Sequence, residues 1–456
     1  MVFSSPVFLF AFLPLTLLCF FAVPVRARTP TLFGLSLCFY AWTEGTFVFA
    51  LLLSIGLNWL FALLLDWTTR ERRRRLLVGF AVALNIGALL WYKYCNFVVA
   101  NLRGLAERFS LHPIPQTDIR LPVGISFITF EALSYVIDVY RRHTRARRNP
   151  IDVGFYVSFF PHLIAGPILR FDDVAGQIGR PMATAETFAS GVRKFIMGLG
   201  KKLLIANSMG RTADAIFSIP DEGLSTSLAW LGIVSYALQI YFDFSGYTDM
   251  AIGLGRLFGF ELPKNFDLPY ASRSMRDFWR RWHISLSTWF RDYLYIPLGG
   301  NRGSVLQSYR NLIIVFLVCG LWHGASWTFV VWGAYHGAFL ILERTPVGRW
   351  VDTLPRPLQH AYAVLAILVG WVFFRAESFG QAASFIGAMA GRGAVPSSST
   401  QERLLELLDR EVVLTLALAI PLATLPVADW LRCGRRALEV APKALGATVD
   451  LGGVVL

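Results

Sequence analysis

Charge is scarce in this sequence. Asp, Glu, Lys and Arg together supply 16% of its 456 residues, against 55% hydrophobic ones. So little charge cannot clothe the surface of a soluble protein of this length, and the class that remains is an all-α polytopic membrane protein. Cysteine is sparse too. Of the five, Cys19, Cys38, Cys95 and Cys319 lie in apolar runs and Cys433 in a basic tail, with no Cys-x-x-Cys pair. That spacing offers neither a zinc site nor a disulfide framework, and no metal is expected. Gly-x-Ser-x-Gly, Gly-x4-Gly-Lys-Ser/Thr and His-Glu-x-x-His are all missing, so the familiar serine-hydrolase, phosphate-loop and zinc-protease chemistries have no carrier.

Acidic residues are the scarcer charges, 30 against 43 basic ones, a formal net charge of +13. The placement of the excess argues against a nucleic-acid partner. Arg26 and Arg28, then Arg70 with Arg72, Arg73, Arg74 and Arg75, then Arg141, Arg142, Arg145, Arg147 and Arg148 occupy every second loop of the N-terminal half. This alternation is the positive-inside pattern, which puts those loops in the cytoplasm and the N-terminus outside. The first apolar run is preceded by no Lys or Arg and is too long for a signal core, so it reads as a retained span.

What is abundant is apolar length. Runs near the ~20 residues that cross a bilayer occur at 6–25, 47–67, 76–99, 151–169, 224–244, 312–342, 361–374 and 412–428, with shorter ones at 31–42, 121–139 and 247–260. About ten spans are expected in the surrounding membrane lipid, some of them re-entrant. Pro161 and Pro167 flank His162 and break the fourth run. The stretch 188–207 mixes Arg193, Lys194, Lys201 and Lys202 with apolar residues and reads as an interfacial helix. Asp243 and Asp249 stand at the end of one run and the start of the next, as a catalytic or positioning pair or as caps around Ser245 and Gly246.

The stretch 278–342 concentrates the polar groups of greatest interest. It holds His283, His323 and His336, three of the seven histidines, among tryptophans and aliphatic residues. Polar rings in a span are costly and mark a functional site. An apolar surrounding disfavours a charged imidazole, which leaves the ring free to act as a general base. In an unbroken helix, His323 and His336 would stand roughly 220° and about 20 Å apart, so one site for both is not expected. Gly320 and Gly324 loosen the chain around His323 and let a ligand approach; His336 reads as a packing residue. Just upstream, Arg273, Arg276, Arg280 and Arg281 alternate with Phe278, Trp279 and Trp282. Such a cluster suits either a phosphorylated cofactor or snorkelling at the membrane edge.

Several segments together resemble the membrane-bound O-acyltransferase family, in its branch serving alginate O-acetylation. They are Leu121-Pro122-Val123-Gly124-Ile125-Ser126-Phe127, Phe160-Pro161-His162-Leu163-Ile164-Ala165-Gly166-Pro167, Tyr241-Phe242-Asp243-Phe244-Ser245-Gly246-Tyr247, the run 278–295 and Leu321-Trp322-His323-Gly324. The resemblance covers most of residues 1–380 of a single membrane domain 1–456, with the helices after 381 less similar. It implies a ring of helices around a thinned centre with a tunnel. The family's essential histidine falls on His323 and its second polar position on His283, with Trp282, Asp243, Asn301 and Trp322 expected along the tunnel. It further implies a bacterial inner-membrane enzyme with no tightly bound cofactor. Acetyl-coenzyme A would be its cytoplasmic donor, with phosphates held by Arg273, Arg276, Arg280 and Arg281. An extracytoplasmic acetyltransferase and the polysaccharide synthesis machinery are the implied partners. Alginate, acetylated cellulose or another exopolysaccharide, peptidoglycan and teichoic acid are the open acceptors. The competing readings are a transporter or flippase of a lipid-linked or charged solute and a non-catalytic scaffold for a polysaccharide synthase.

The charge pattern makes the orientation testable. Single cysteines beside Arg72 or Arg145 are expected to react with an impermeant maleimide only after permeabilisation, and an N-terminal tag to be reached without it. Labelling beside Arg145 in intact cells would reverse the orientation.

Overall fold

A computed structural model describes residues 2–426 other than 113, 180, 396 and 397; Met1, Cys433 and the rest of the tail at 427–456 lie outside the described residues. Every regular element among the described residues is helical. Among the described residues, four helices are long and apolar enough to cross a membrane: Phe47–Trp67, Glu71–Arg108, Val305–His323 and Arg356–Arg375. Shorter apolar helices cover Phe8–Ala22 and Trp327–Leu342. Other apolar runs are divided or joined by the packing. The run at 151–169 splits into Pro150–Ser158 and Phe160–Leu163, where Pro161 has no N–H to continue the helix. The runs at 224–244 and 247–260 join into one 32-residue helix, Thr226–Leu257.

That long helix corrects one expectation. Asp243 and Asp249 sit inside it rather than at caps between spans. The stretch expected to be an interfacial helix packs along it. Ala185–Gly200 continues through a π-helical stretch, Lys201–Ala206, into Asn207–Phe217. Backbones meet where side chains are missing: a Cβ on Gly198 would stand 2.5 Å from the Gly246 carbonyl oxygen, and one on Gly253 2.6 Å from the Phe195 nitrogen. Small residues at such crossings are the usual way for membrane helices to approach. The approach also explains the charges. Lys194 and Lys201 both reach Asp249 at 2.7 Å, and Lys202 reaches Asp243 at 2.5 Å. A sequence scan cannot see that ladder, because its two sides come from different helices.

The second close crossing is a hairpin. Val305–His323 opens with a reciprocal Ser304 and Gln307 cap and ends at Gly324, whose φ of −162° is extended. After the break, Trp327–Leu342 runs back along it. A Cβ on Gly320 would overlap the Phe329 carbonyl oxygen, and one on Gly333 the Phe316 carbonyl oxygen. Met275–Arg281 and Arg356–Arg375 pack on the outside of this hairpin; aromatic side chains of the hairpin and of Arg356–Arg375 meet beside His323, while Phe278 and Trp279 meet His336.

Gly320→Ala or Gly333→Ala is therefore expected to lower the thermal midpoint of the detergent-solubilised protein, by about 1–3 kcal/mol of overpacking strain or more. Gly87→Ala, where a new Cβ meets nothing within 4 Å, serves as the control and is expected to be neutral or mildly stabilising.

Candidate active site

His323 is the last residue of its helix, and the turn after it is tightly packed. A Cβ on Gly324 would overlap the Phe329 ring, so the glycines on either side of His323 admit neighbouring backbone and ring, not the ligand that their spacing in the sequence suggests. The imidazole is half-buried. It stands edge-on to Trp322, Trp332 and Phe374, with ring centroids 5.0, 5.0 and 5.2 Å away.

His283 is built differently. It caps Ile284–Phe290 from a left-handed backbone, φ 45° and ψ 55°, a conformation that costs a non-glycine residue of order 1 kcal/mol or more and clusters at functional sites. Asn265 holds the turn: its carbonyl accepts the Ile284 N–H at 2.9 Å, and its side-chain oxygen accepts the Ser285 N–H at 3.1 Å and hydroxyl at 3.0 Å. The Nδ1 of His283 accepts the Leu286 N–H at 3.4 Å. A neutral imidazole that accepts at Nδ1 carries its proton on Nε2, and Nε2 has no partner among the described residues.

Both rings open on one cavity of about 330 Å³, together with Trp282, Trp322, Asp243 and Phe374. Thus five of the residues expected at the site and tunnel converge there. Asn301 does not. It lies exposed in the turn after Leu298, because the chain leaves the cavity at Ile284–Phe290 and reaches the protein surface before Val305–His323 begins.

A second cavity of about 520 Å³ adjoins the first. Arg276, Arg280, Arg291 and Arg344 line it, over an apolar floor that includes Leu312, Phe316 and Cys319. No carboxylate is among the lining residues. Arg276 and Arg280 share a helix face at i and i+4. Arg273 and Arg281, expected in the same cluster, are not among the lining residues. Arg273 precedes the helix, and Arg281 is turned back by Asp277 at 2.9 Å. Arg291 and Arg344 come from other elements and carried no local signal. Arg291 is paired with Asp292 at 2.7 Å, whereas Arg280 has no ion pair or hydrogen bond among the described residues. Neighbouring stretches of chain line the two cavities: Ile284 and Leu286 line the arginine cavity and His283 the other, and Cys319 lies one helical turn, about 6 Å, before His323.

The profile of the MBOAT, membrane-bound O-acyltransferase, family matches residues 37–376. The chain belongs to the membrane-bound O-acyltransferase family. It is 47% identical over 399 residues to a probable alginate O-acetylase AlgI of Azotobacter vinelandii, covering 86% of this chain and 79% of the relative. With the probable alginate O-acetylase AlgI of Pseudomonas putida it shares 44% over 460 residues, 99% and 93% of the two chains. The peptidoglycan O-acetyltransferase of Helicobacter pylori is 36% identical over 449 residues, 90% and 84%. Membership decides among the competing readings: the chain is a membrane-bound O-acyltransferase rather than a transporter or a scaffold.

Two further buried histidines of this O-acyltransferase, His162 and His336, are not among the residues that line the cavity. His336 is buried, its Nδ1 accepting the Trp279 indole N–H at 3.3 Å, and Trp332 separates it from His323. His162 is buried 2.9 Å from the Glu131 carboxylate, a partner that nothing local in the sequence marks. Near the site, Lys93 and Tyr94 are the groups that motif matching passes over. A lysine inside the apolar run 76–99 is itself a legible sign.

Proposed function

We propose that the protein moves an acetyl group from cytoplasmic acetyl-coenzyme A to a hydroxyl of an extracytoplasmic polysaccharide such as alginate, working with an extracytoplasmic acetyltransferase partner in a bacterial inner membrane. The reading is carried by one observation: His283 and His323, 40 positions apart in sequence, face a single cavity backed by a carboxylate-free arginine pocket. The relatives' names support a carbohydrate as the final acceptor. The N-terminus is extracytoplasmic in this scheme, following the arginine alternation.

The chemistry uses the two imidazoles unequally. His323 accepts the proton of the acceptor hydroxyl as its oxygen attacks the thioester carbonyl. His283, protonated on Nε2, donates a hydrogen bond to the charge that develops on the carbonyl oxygen. As the C–S bond breaks, His323 returns its proton to the leaving sulfur, so the products are an acetyl ester and free thiol and both histidines regain their starting form. The donor's phosphates lie against Arg276, Arg280, Arg291 and Arg344, where planar guanidinium groups match phosphate oxygens in pairs, and its thioester arm follows the apolar floor toward Cys319.

His323→Ala is expected to abolish acetylation at unchanged protein level, and His283→Ala to lower it about 10²- to 10⁴-fold. His336→Ala should act through stability, at about 1–3 kcal/mol. The measurement is polymer acetyl content in cells at matched expression; a His336 variant that loses activity while the His323 variant keeps it would overturn the assignment.

The arginine pocket has its own test. Arg280→Ala is expected to raise the apparent KM for acetyl-coenzyme A several-fold or more, since a charge-assisted hydrogen bond contributes about 1.5–3 kcal/mol, while Arg273→Ala leaves it unchanged. Equal effects at the two positions would return the cluster to a membrane-edge role.

A further inference from the structure

The C-terminal end of Val305–His323 poses an accounting problem. The last four carbonyls of a helix have no partner within it and must be satisfied from outside. Here the Gly320 carbonyl accepts the Gly324 N–H at 3.2 Å. The next two are met by consecutive residues of one distant helix, Glu71–Arg108: the Leu321 carbonyl accepts the Tyr94 hydroxyl at 2.6 Å, and the Trp322 carbonyl accepts from Lys93 Nζ. These are the two peptide groups immediately before His323.

Lys93 is an unusual group to find there. It forms no ion pair with any described carboxylate. Its remaining contacts are the Ser126 hydroxyl, 3.2 Å away, and the face of Trp322, with Nζ 5.6 Å from the ring centroid. An unpaired cation in a membrane span is expensive. The partial negative charge at the helix end and the face of the indole offset that cost only at this one place. Leucine would satisfy the apolar run without it. Moreover, Ser126 adjoins Phe127, and Phe127, Trp322 and His323 all line the histidine cavity. Lys93 therefore ties two walls of the cavity to each other from behind.

We propose that Lys93, assisted by Tyr94, is the positioning residue of the reacting imidazole. It pins the peptide groups before His323 and the indole beside it, so that the ring meets the acceptor hydroxyl and the thioester carbonyl in one fixed geometry. The inference rests on the reading of His323 as the proton acceptor. A displacement of about 1 Å in such a group can reduce rate by about 10²-fold without weakening substrate binding, so the expected signature is on turnover and not on affinity.

The test uses membranes from cells that carry the full chain with its polysaccharide machinery, supplied with labelled acetyl-coenzyme A, and reads label in polymer. Lys93→Met is expected to lower the maximal rate about 10- to 100-fold with apparent KM for acetyl-coenzyme A within about two-fold of wild type. Lys93→Arg, which keeps charge and donors, is expected to recover most of the lost rate. Tyr94→Phe removes a single hydroxyl from the same helix end, and a smaller fall in rate at unchanged KM is expected. A Lys93→Met protein that keeps its rate, one whose loss lies in KM, or a Lys93→Arg protein no better than Lys93→Met at equal protein level would overturn the proposal. His323→Ala runs beside these variants: if it retains activity, the reading of His323 fails, whereas an inactive His323→Ala beside an active Lys93→Met sinks only the role of Lys93.

Discussion

Backbone touches backbone where Val305–His323 crosses Trp327–Leu342, and much of the site depends on that contact. Gly320 and Gly333 face each other's helices with no room for a methyl group, which fixes the hairpin's spacing. Because the hairpin is this tight, the chain must turn at Gly324, and His323 becomes the last residue of its helix. Trp332, carried by the returning helix, is brought edge-on to the His323 ring, and the Arg356–Arg375 helix contributes Phe374 to the same wall. A dense aromatic lining surrounds one polar group, and exposure of that group is limited to the cavity.

The two cavities differ in charge. Four guanidinium groups surround one, and the other holds a single carboxylate, Asp243, already paired with Lys202. The lining of the histidine cavity therefore carries little charge, while that of the other is cationic. The strained His283 backbone fits this division. Held by Asn265, it points one imidazole nitrogen at its own helix and leaves the other unpartnered beside the reacting cavity, a small conformational cost borne where geometry matters.

Charges placed within the helices are tolerated by being shared. Asp249 serves two lysines, Glu131 serves His162, and Lys93 is met by the Trp322 carbonyl at a helix end. Each arrangement supplies a partner from a different helix, which is how a low-dielectric interior admits ionisable side chains without isolating them.

The membrane class and the candidate histidines were legible in the sequence, because hydropathy and motif residues are local properties that need no partner. The convergence of His283 with His323 was expected only from the family resemblance and from nothing local, since 40 residues and a surface excursion through Asn301 lie between them, and only packing brings their ends together. Local reading also erred wherever a residue's meaning depends on what faces it. Gly320 and Gly324 looked like room for a ligand and proved to be room for a helix, and Arg281 looked like part of a phosphate cluster until Asp277 turned it away. Asp243 and Asp249 looked like caps until one continuous helix enclosed them. Lys93 is the limiting case: the sequence marks it as costly, and only the tertiary structure, by setting the end of Val305–His323 against it, supplies the Trp322 carbonyl and indole face that make its position tenable.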